Sequence, residues 1–322
     1  MSSPLQKRNI IVPTTSRLAG RVVIVTGAGS GLGREYALLA AAHGAQVVVN
    51  DLGTALDGEG RNAGAAQLVV NEIEEAGGTA VANTDDISTT DGGKGVVRSA
   101  VDAFGDVHVL INNAGILRDK MLVTMEPEQW DAVINVHLRG HFSTTRAVAG
   151  FWRERSKAGD LQDRVLISTT SMSGMLGIPG QANYGAAKGG LATFALVAHR
   201  ELNERLKVRS YAIAPSARTR LTMGTPDAAE NVGKPVAEGT FDYWDAGNVA
   251  PFVTWLGIEN CPAPSGSVYG VEGDRIQFFE VWPQVAELRA GHRWSFEELD
   301  DAAEKIVELT PALREFAPSE QA

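Results

Sequence analysis

Tyr184 and Lys188 stand four residues apart in Tyr184-Gly185-Ala186-Ala187-Lys188. On a helix that spacing puts a phenol and an ammonium on nearly one face, a turn apart. A free phenol has a pKa of roughly 10 and is a poor acid or base near neutrality. A neighbouring cation favours the phenolate and lowers that value. The pair is then expected to exchange a proton with an alcohol or a carbonyl at working pH. Such pairs also arise by chance on surface helices, so the meaning of this one rests on what stands upstream.

Upstream is a glycine turn, Thr26-Gly27-Ala28-Gly29-Ser30-Gly31-Leu32-Gly33. Residues 21–25 before it form a short β-branched apolar run, which reads as a strand buried on both faces. A helical pattern follows to about His43 and ends at Gly44. In that setting glycines let the backbone turn tightly against a pyrophosphate held at a helix N-terminus. Asp51 closes a second strand, residues 46–50. It lies where an acid that binds both adenosine ribose hydroxyls belongs, and it would repel a 2′-phosphate. Position 30 is serine and offers that phosphate no cation. The expectation is therefore NAD, with NADP less favoured. Asp86, past a third strand at residues 79–83, could accept from the adenine amino group or simply cap a helix.

Those residues need a scaffold. A glycine-rich loop follows Leu52, longer than most strand-to-helix connections. Helical stretches run through Val69 and Ile73 and through Val96 to Phe104. A fourth strand, residues 108–111, leads into Asn112-Asn113-Ala114-Gly115. Helices are expected at 127–137 and 140–156, strands at 164–168 and 208–213, and a long helix at 182–206 that carries the Tyr–Lys pair. Alternating strands and helices predict an α/β fold: a Rossmann-like, doubly wound parallel sheet with helices on both faces. Ligands in such sheets sit at the carboxyl ends of the strands, where the residues above fall.

The formal net charge is −10 over 322 residues, which argues against nucleic acid as a partner. No stretch approaches the ~20 apolar residues of a membrane span, so no membrane partner is expected. One cysteine, Cys261, excludes an internal disulfide and suits a reducing compartment. A cytoplasmic protein without a metal site is expected.

Taken together, Thr26-Gly27-x-x-x-Gly31-x-Gly33, Asn112 to Gly115, Asn135, Ser171 and Tyr184-x-x-x-Lys188 resemble the short-chain dehydrogenase/reductase family from about residue 18 to 282. The resemblance implies a single domain over that span, an N-terminal arm at 1–17, a C-terminal helical tail at 283–322 and a homodimer or homotetramer. It implies catalytic roles for Ser171, Tyr184, Lys188 and Asn135, with Ser171 at the substrate oxygen and Asn135 holding a water. It implies cofactor contacts at Gly27, Ser30, Gly31, Leu32 and Gly33 of the turn, and at Asp51, Leu52, Asp86 and Ile87. Asn113, Ala114, Gly115, Tyr184, Lys188, Pro215 and Arg218 complete that set.

Residues 50–53, 113–120, 136–140 and 180–184 look like one branch of the family, the (3R)-hydroxyacyl-CoA dehydrogenase domains of peroxisomal multifunctional enzymes type 2 and their bacterial relatives. That branch implies a secondary alcohol and a ketone interconverted by hydride transfer, with an acyl-CoA thioester as substrate. A hydroxysteroid or other secondary-alcohol dehydrogenase is the alternative, and a cofactor-binding sensor without catalysis a remote one. Pro215-Ser216 and Arg218-Thr219-Arg220 depart from the family pattern. A substrate loop is expected at about 219–246, with Arg218, Arg220 and Lys234 available to CoA phosphates. The tail carries the capping-box pattern Ser295-x-x-Glu298 and apolar residues at helical spacing, expected to dock on the domain or a partner subunit.

Overall fold

The computed structural model describes residues 16–60, 64–225, 229–230, 232–237, 239–280 and 282–311. The expected N-terminal arm lies outside them, apart from residues 16 and 17.

Six strands run parallel: β1 (Val22–Thr26), β2 (Gln46–Asn50), β3 (Thr79–Asn83), β4 (Val109–Asn112), β5 (Arg164–Thr169) and β6 (Val208–Ser216). A seventh, β7 (Ser267–Glu272), joins them in parallel, and β8 (Arg275–Phe279) returns antiparallel along it. The order is β3-β2-β1-β4-β5-β6-β7-β8. Chain order reverses between β1 and β4, and the crevice of such a sheet opens there.

The apolar runs are continuous because both faces are covered. Val23 and Val25 of β1 point into a core shared with α1 (Gly31–Ala42), α2 (Gly64–Glu75) and the helix Ala250–Leu256. Val22 and Ile24 point the other way, toward α3 (Thr90–Phe104), α5 (Gly140–Lys157) and α7 (Ala182–Leu206). Alternation along one strand thus feeds two layers.

Three expectations change in detail. The helix at 127–137 stops sooner: α4 (Pro127–Ile134) gives way to a π turn, Asn135–Arg139, before α5 begins. Strand β6 runs on through Pro215 to Ser216, since Ala214, Pro215 and Ser216 pair with β7. The tail forms its capping box, with Ser295 N–H donating to Glu298 and Glu298 N–H to Ser295 Oγ. Its apolar side chains stay in solvent, Phe296 85% and Val307 75% exposed, and the helix breaks into Phe296–Asp301 and Ala303–Leu309. No helix among the described residues is long and apolar enough to cross a membrane.

Candidate active site

The crevice holds about 310 Å³ at the carboxyl ends of β1, β2, β4 and β5. Its floor is the glycine turn, fastened from two sides. From β4, Asn113 N–H and Ala114 N–H donate to Thr26 Oγ1 at 3.0 and 3.2 Å. The Asn113 side-chain amide donates to the carbonyls of Thr26 and Gly27, each at 3.2 Å. Only glycine fits at position 27: φ is +65°, and a Cβ would lie 2.6 Å from Ala114 Cα. From β2, Asp51 Oδ2 accepts from Gly29 N–H at 2.8 Å, while Oδ1 accepts from Gly53 N–H at 2.6 Å. Asp51 therefore sits against the turn with lone pairs left for two ribose hydroxyls. Asp86 lines the crevice too, but its Oδ1 accepts from Ser88 N–H and Ser88 Oγ in a local turn, and the cap of α3 is Thr89, which accepts from Gly92 N–H.

Of the residues expected to contact a cofactor, Gly27, Ser30, Gly31, Leu32, Asp51, Leu52, Asp86, Ile87, Asn113, Ala114, Gly115, Tyr184, Lys188 and Pro215 line this crevice. Gly33 packs behind it, where a Cβ would stand 2.2 Å from Gly27 O. Arg218 is not part of it. Its guanidinium pairs with Asp242 at 2.7 Å and donates to Val232 O, and its backbone N–H is taken by Trp244 O at 2.6 Å. Arg218 ties the loop at 219–246 together, which leaves neither its amide for a carboxamide nor an unpaired cation for a CoA phosphate. The cation at the turn is Arg220, which opens the short helix α8 (Arg220–Met223) and donates to Ser30 Oγ at 3.1 Å. A chain separation of 190 residues hid that contact from a reading of position 30 alone.

Tyr184 and Lys188 lie on the first turns of α7. Ser171 caps α6 (Met172–Leu176), its Oγ accepting from Ser173 N–H at 3.2 Å, and its hydroxyl acts on the Tyr184 phenol. Lys188 Nζ donates to Thr169 O at 2.6 Å and lies 5.4 Å from the Tyr184 ring centre. Asn135 opens the π turn and lines no part of the crevice.

The electrostatics run against the expected acidic phenol. Burial pushes Tyr184 up to about 12, although the Ser171 hydroxyl pulls the other way and the Asp119 carboxylate adds to the rise. Burial also brings Lys188 down to about 7. Loss of water penalises both charged forms, and here it outweighs the attraction between them. The phenol of the ligand-free protein is thus a proton donor at neutral pH. We expect Tyr184 to titrate above pH 11 in the cofactor-free protein, read as the ultraviolet difference between wild type and Tyr184→Phe. Ionisation near neutrality would overturn this.

His137 is among the crevice residues outside the expected set. The π turn aims His137 inward, where its ring meets Tyr184 edge-on at 5.2 Å between centres. Its Nε2 lies 3.1 Å from Ile116 N and 2.9 Å from Ile116 O. Burial, with the Lys188 charge behind it, drives its pKa well below the ordinary value, so the ring is neutral. A histidine inside an otherwise helical run was the available signal, and π turns often mark functional sites.

The residues present fit a nicotinamide dinucleotide. Backbone N–H groups of a glycine turn and a helix N-terminus face a pyrophosphate, an acid faces a ribose, and a phenol–amine pair stands at the far end.

Comparisons agree. The short chain dehydrogenase family pattern matches residues 21–229. A short-chain type dehydrogenase/reductase of Mycobacterium tuberculosis is 44% identical, over 85% of this chain and 93% of that protein. Hydroxyacyl-CoA dehydrogenase ChsB1 of the same organism is 39% identical, over 94% and 90%. Peroxisomal multifunctional enzyme type 2 of Drosophila melanogaster is 44% identical over 85% of this chain, but the match spans 42% of that longer protein. The crystal structure of a short chain dehydrogenase from Mycobacterium avium superposes with a TM-score of 0.80 at 43% identity, covering 95% of this chain and 99% of that one. With this crevice and this kinship, the chain belongs to the short-chain dehydrogenase/reductase family, enzymes that act on CH–OH groups with a nicotinamide cofactor.

Proposed function

We propose that this enzyme interconverts a 3-hydroxyacyl-CoA, or a related hydroxy thioester, and its ketone with NAD as cofactor. The observation that carries the reaction is Tyr184, one helical turn from Lys188 and with the Lys188 Nζ 5.4 Å from its ring centre, in the wall of a glycine-floored crevice. The thioester is supported by kinship with a hydroxyacyl-CoA dehydrogenase. A bound nicotinamide supplies or takes up the hydride. Toward the alcohol, Tyr184 gives its proton to the substrate oxygen as hydride reaches the carbon. Toward the ketone, it takes that proton back. Ser171 hydrogen-bonds the reacting oxygen, the small donor site at which negative charge develops. Lys188, beside the phenol, holds the nicotinamide ribose, and Asn135 a water beside Lys188.

NAD is favoured over NADP because the Asp51 carboxylate faces the place where a 2′-phosphate would lie. Arg220 at Ser30 suits the pyrophosphate. Asp51→Asn is expected to weaken NAD by about tenfold or more and to narrow its lead over NADP. Calorimetric titration with both nucleotides reads this, and an unchanged ratio of affinities would refute it.

We further propose a homodimer or homotetramer in the cytoplasm. The apolar side chains that the tail leaves in solvent support assembly, and the buried, free Cys261 suits a reducing compartment. The substrate is tested by an NAD-linked absorbance screen across hydroxyacyl thioesters, steroid alcohols and simple secondary alcohols. Preference for a steroid would move the assignment to a hydroxysteroid dehydrogenase, and no turnover of any class would favour a cofactor sensor.

A further inference from the structure

Two of the segments that resemble the hydroxyacyl-CoA dehydrogenase branch are 113–120 and 180–184. They are laced together. Lys120 N–H donates to Gly180 O at 2.9 Å, and residues 120 and 181 form a parallel bridge. The Asn183 amide donates to Arg118 O at 3.0 Å and Gln129 O at 3.1 Å. Inside this clasp runs a chain of side chains. Gln181 Nε2 donates to Asp119 Oδ2 at 2.8 Å, Ser173 Oγ donates to Gln181 Oε1 at 2.7 Å, and Ser173 Oγ lies 3.4 Å from Ser171 Oγ. Gln181 and Ser173 are buried, and the second Asp119 oxygen is buried with no partner.

The polarity of that chain is fixed from the carboxylate end. An ionised carboxylate only accepts, so the amide must turn its NH₂ toward Asp119 and its carbonyl toward Ser173. Ser173 then spends its hydroxyl proton on Gln181 and has none for Ser171. The Ser171 oxygen already accepts from Ser173 N–H. The Ser171 proton is thus left with the 3.4 Å contact to Ser173, weak by length. It is free to turn to a stronger acceptor.

We propose that Asp119, Gln181 and Ser173 are positioning residues that set Ser171 as a hydrogen-bond donor to the reacting oxygen. The inference rests on the proposed alcohol–ketone reaction. In reduction the substrate oxygen receives its proton from Tyr184 and a hydrogen bond, without proton transfer, from Ser171. In oxidation the same donor meets the charge that builds on that oxygen. Without the Gln181 carbonyl, the Ser173 hydroxyl is released to donate to Ser171, and the donor role is diluted among several rotamers.

The test uses the full-length enzyme and the fastest substrate of the screen above. Gln181→Leu, which frees the Ser173 hydroxyl, should lower kcat about tenfold with the NAD dissociation constant within error of wild type, and adding Ser173→Ala should recover most of that loss. Asp119→Asn, which keeps an acceptor for Gln181, should lose less than Asp119→Leu. The deciding arm is a cycle: in a Ser171→Ala background, Gln181→Leu should cost nothing further. Full multiplicative losses there would mean that the clasp merely holds Tyr184 in place, and the proposal fails. It also fails if Gln181→Leu turns over at the wild-type rate, a result readable even where the Ser171→Ala enzyme is too slow to assay. Failure of the reaction itself is separate, because it shows as turnover retained in Tyr184→Phe.

Discussion

Tyr184→Phe is expected to lower kcat in both directions by about a thousandfold or more while the dissociation constant for NAD stays within a few-fold of wild type. The substitution removes one oxygen, the atom assigned the proton. It leaves the ring that packs edge-on against His137, so the crevice wall keeps its shape. The cofactor's pyrophosphate and adenosine ends meet the glycine turn and Asp51, on other elements. Loss of turnover without loss of binding is therefore the signature of a proton carrier. Pre-steady-state absorbance traces with saturating cofactor would measure it. Turnover within tenfold of wild type would remove Tyr184 from the chemistry.

Lys188→Met is expected to do two opposite things: lower turnover at least a hundredfold or so and stabilise the fold at mildly acid pH. Lys188 is 2% exposed, and burial lowers its pKa from 10.5 to about 7. Below pH 7 the folded and unfolded chains both carry the charge, and folding bears the full cost of burying it. Between 7 and 10.5 the unfolded chain holds a proton that the folded one has released, so stability rises with pH. Above 10.5 both are neutral and the cost is gone. A methionine never carries that cost. After the lost bond to Thr169 O is allowed for, the gain at pH 6 should be roughly 2 kcal/mol, and it should shrink as pH rises. Melting curves of both proteins from pH 6 to pH 9 test this. A variant less stable than wild type at pH 6, by a gap that pH does not move, would contradict it. Such a trade of stability for chemistry is expected where an active site buries a charge.

Much of this site was legible along the chain because its parts are local. The glycine turn, Asp51 and the Tyr–Lys pair each sit within one strand–turn–helix or one helical turn, and the parallel strands read as uninterrupted β-branched runs. What was missed lies across the chain or depends on solvent. Arg218 looked like a loose cation because its partner, Asp242, lies 24 residues on. Gln181 meets Asp119 across a separation of 62 residues. Gly270 interrupts the apolar pattern of β7 because Gln277 and Phe279 of β8 approach too closely for a Cβ. The raised phenol was invisible because proximity can be read from spacing, whereas the loss of water that overrides it cannot.

The double fastening of the glycine turn bears on the thermodynamics of nucleotide capture. A loop already pinned by Thr26, Asn113 and Asp51 has little backbone freedom left to surrender when a pyrophosphate arrives. Association should therefore carry a small conformational entropy penalty, and its heat-capacity change should follow the apolar area covered rather than any coil-to-ordered transition. Cutting one fastener, as in Thr26→Ala, should appear first as a less favourable binding entropy.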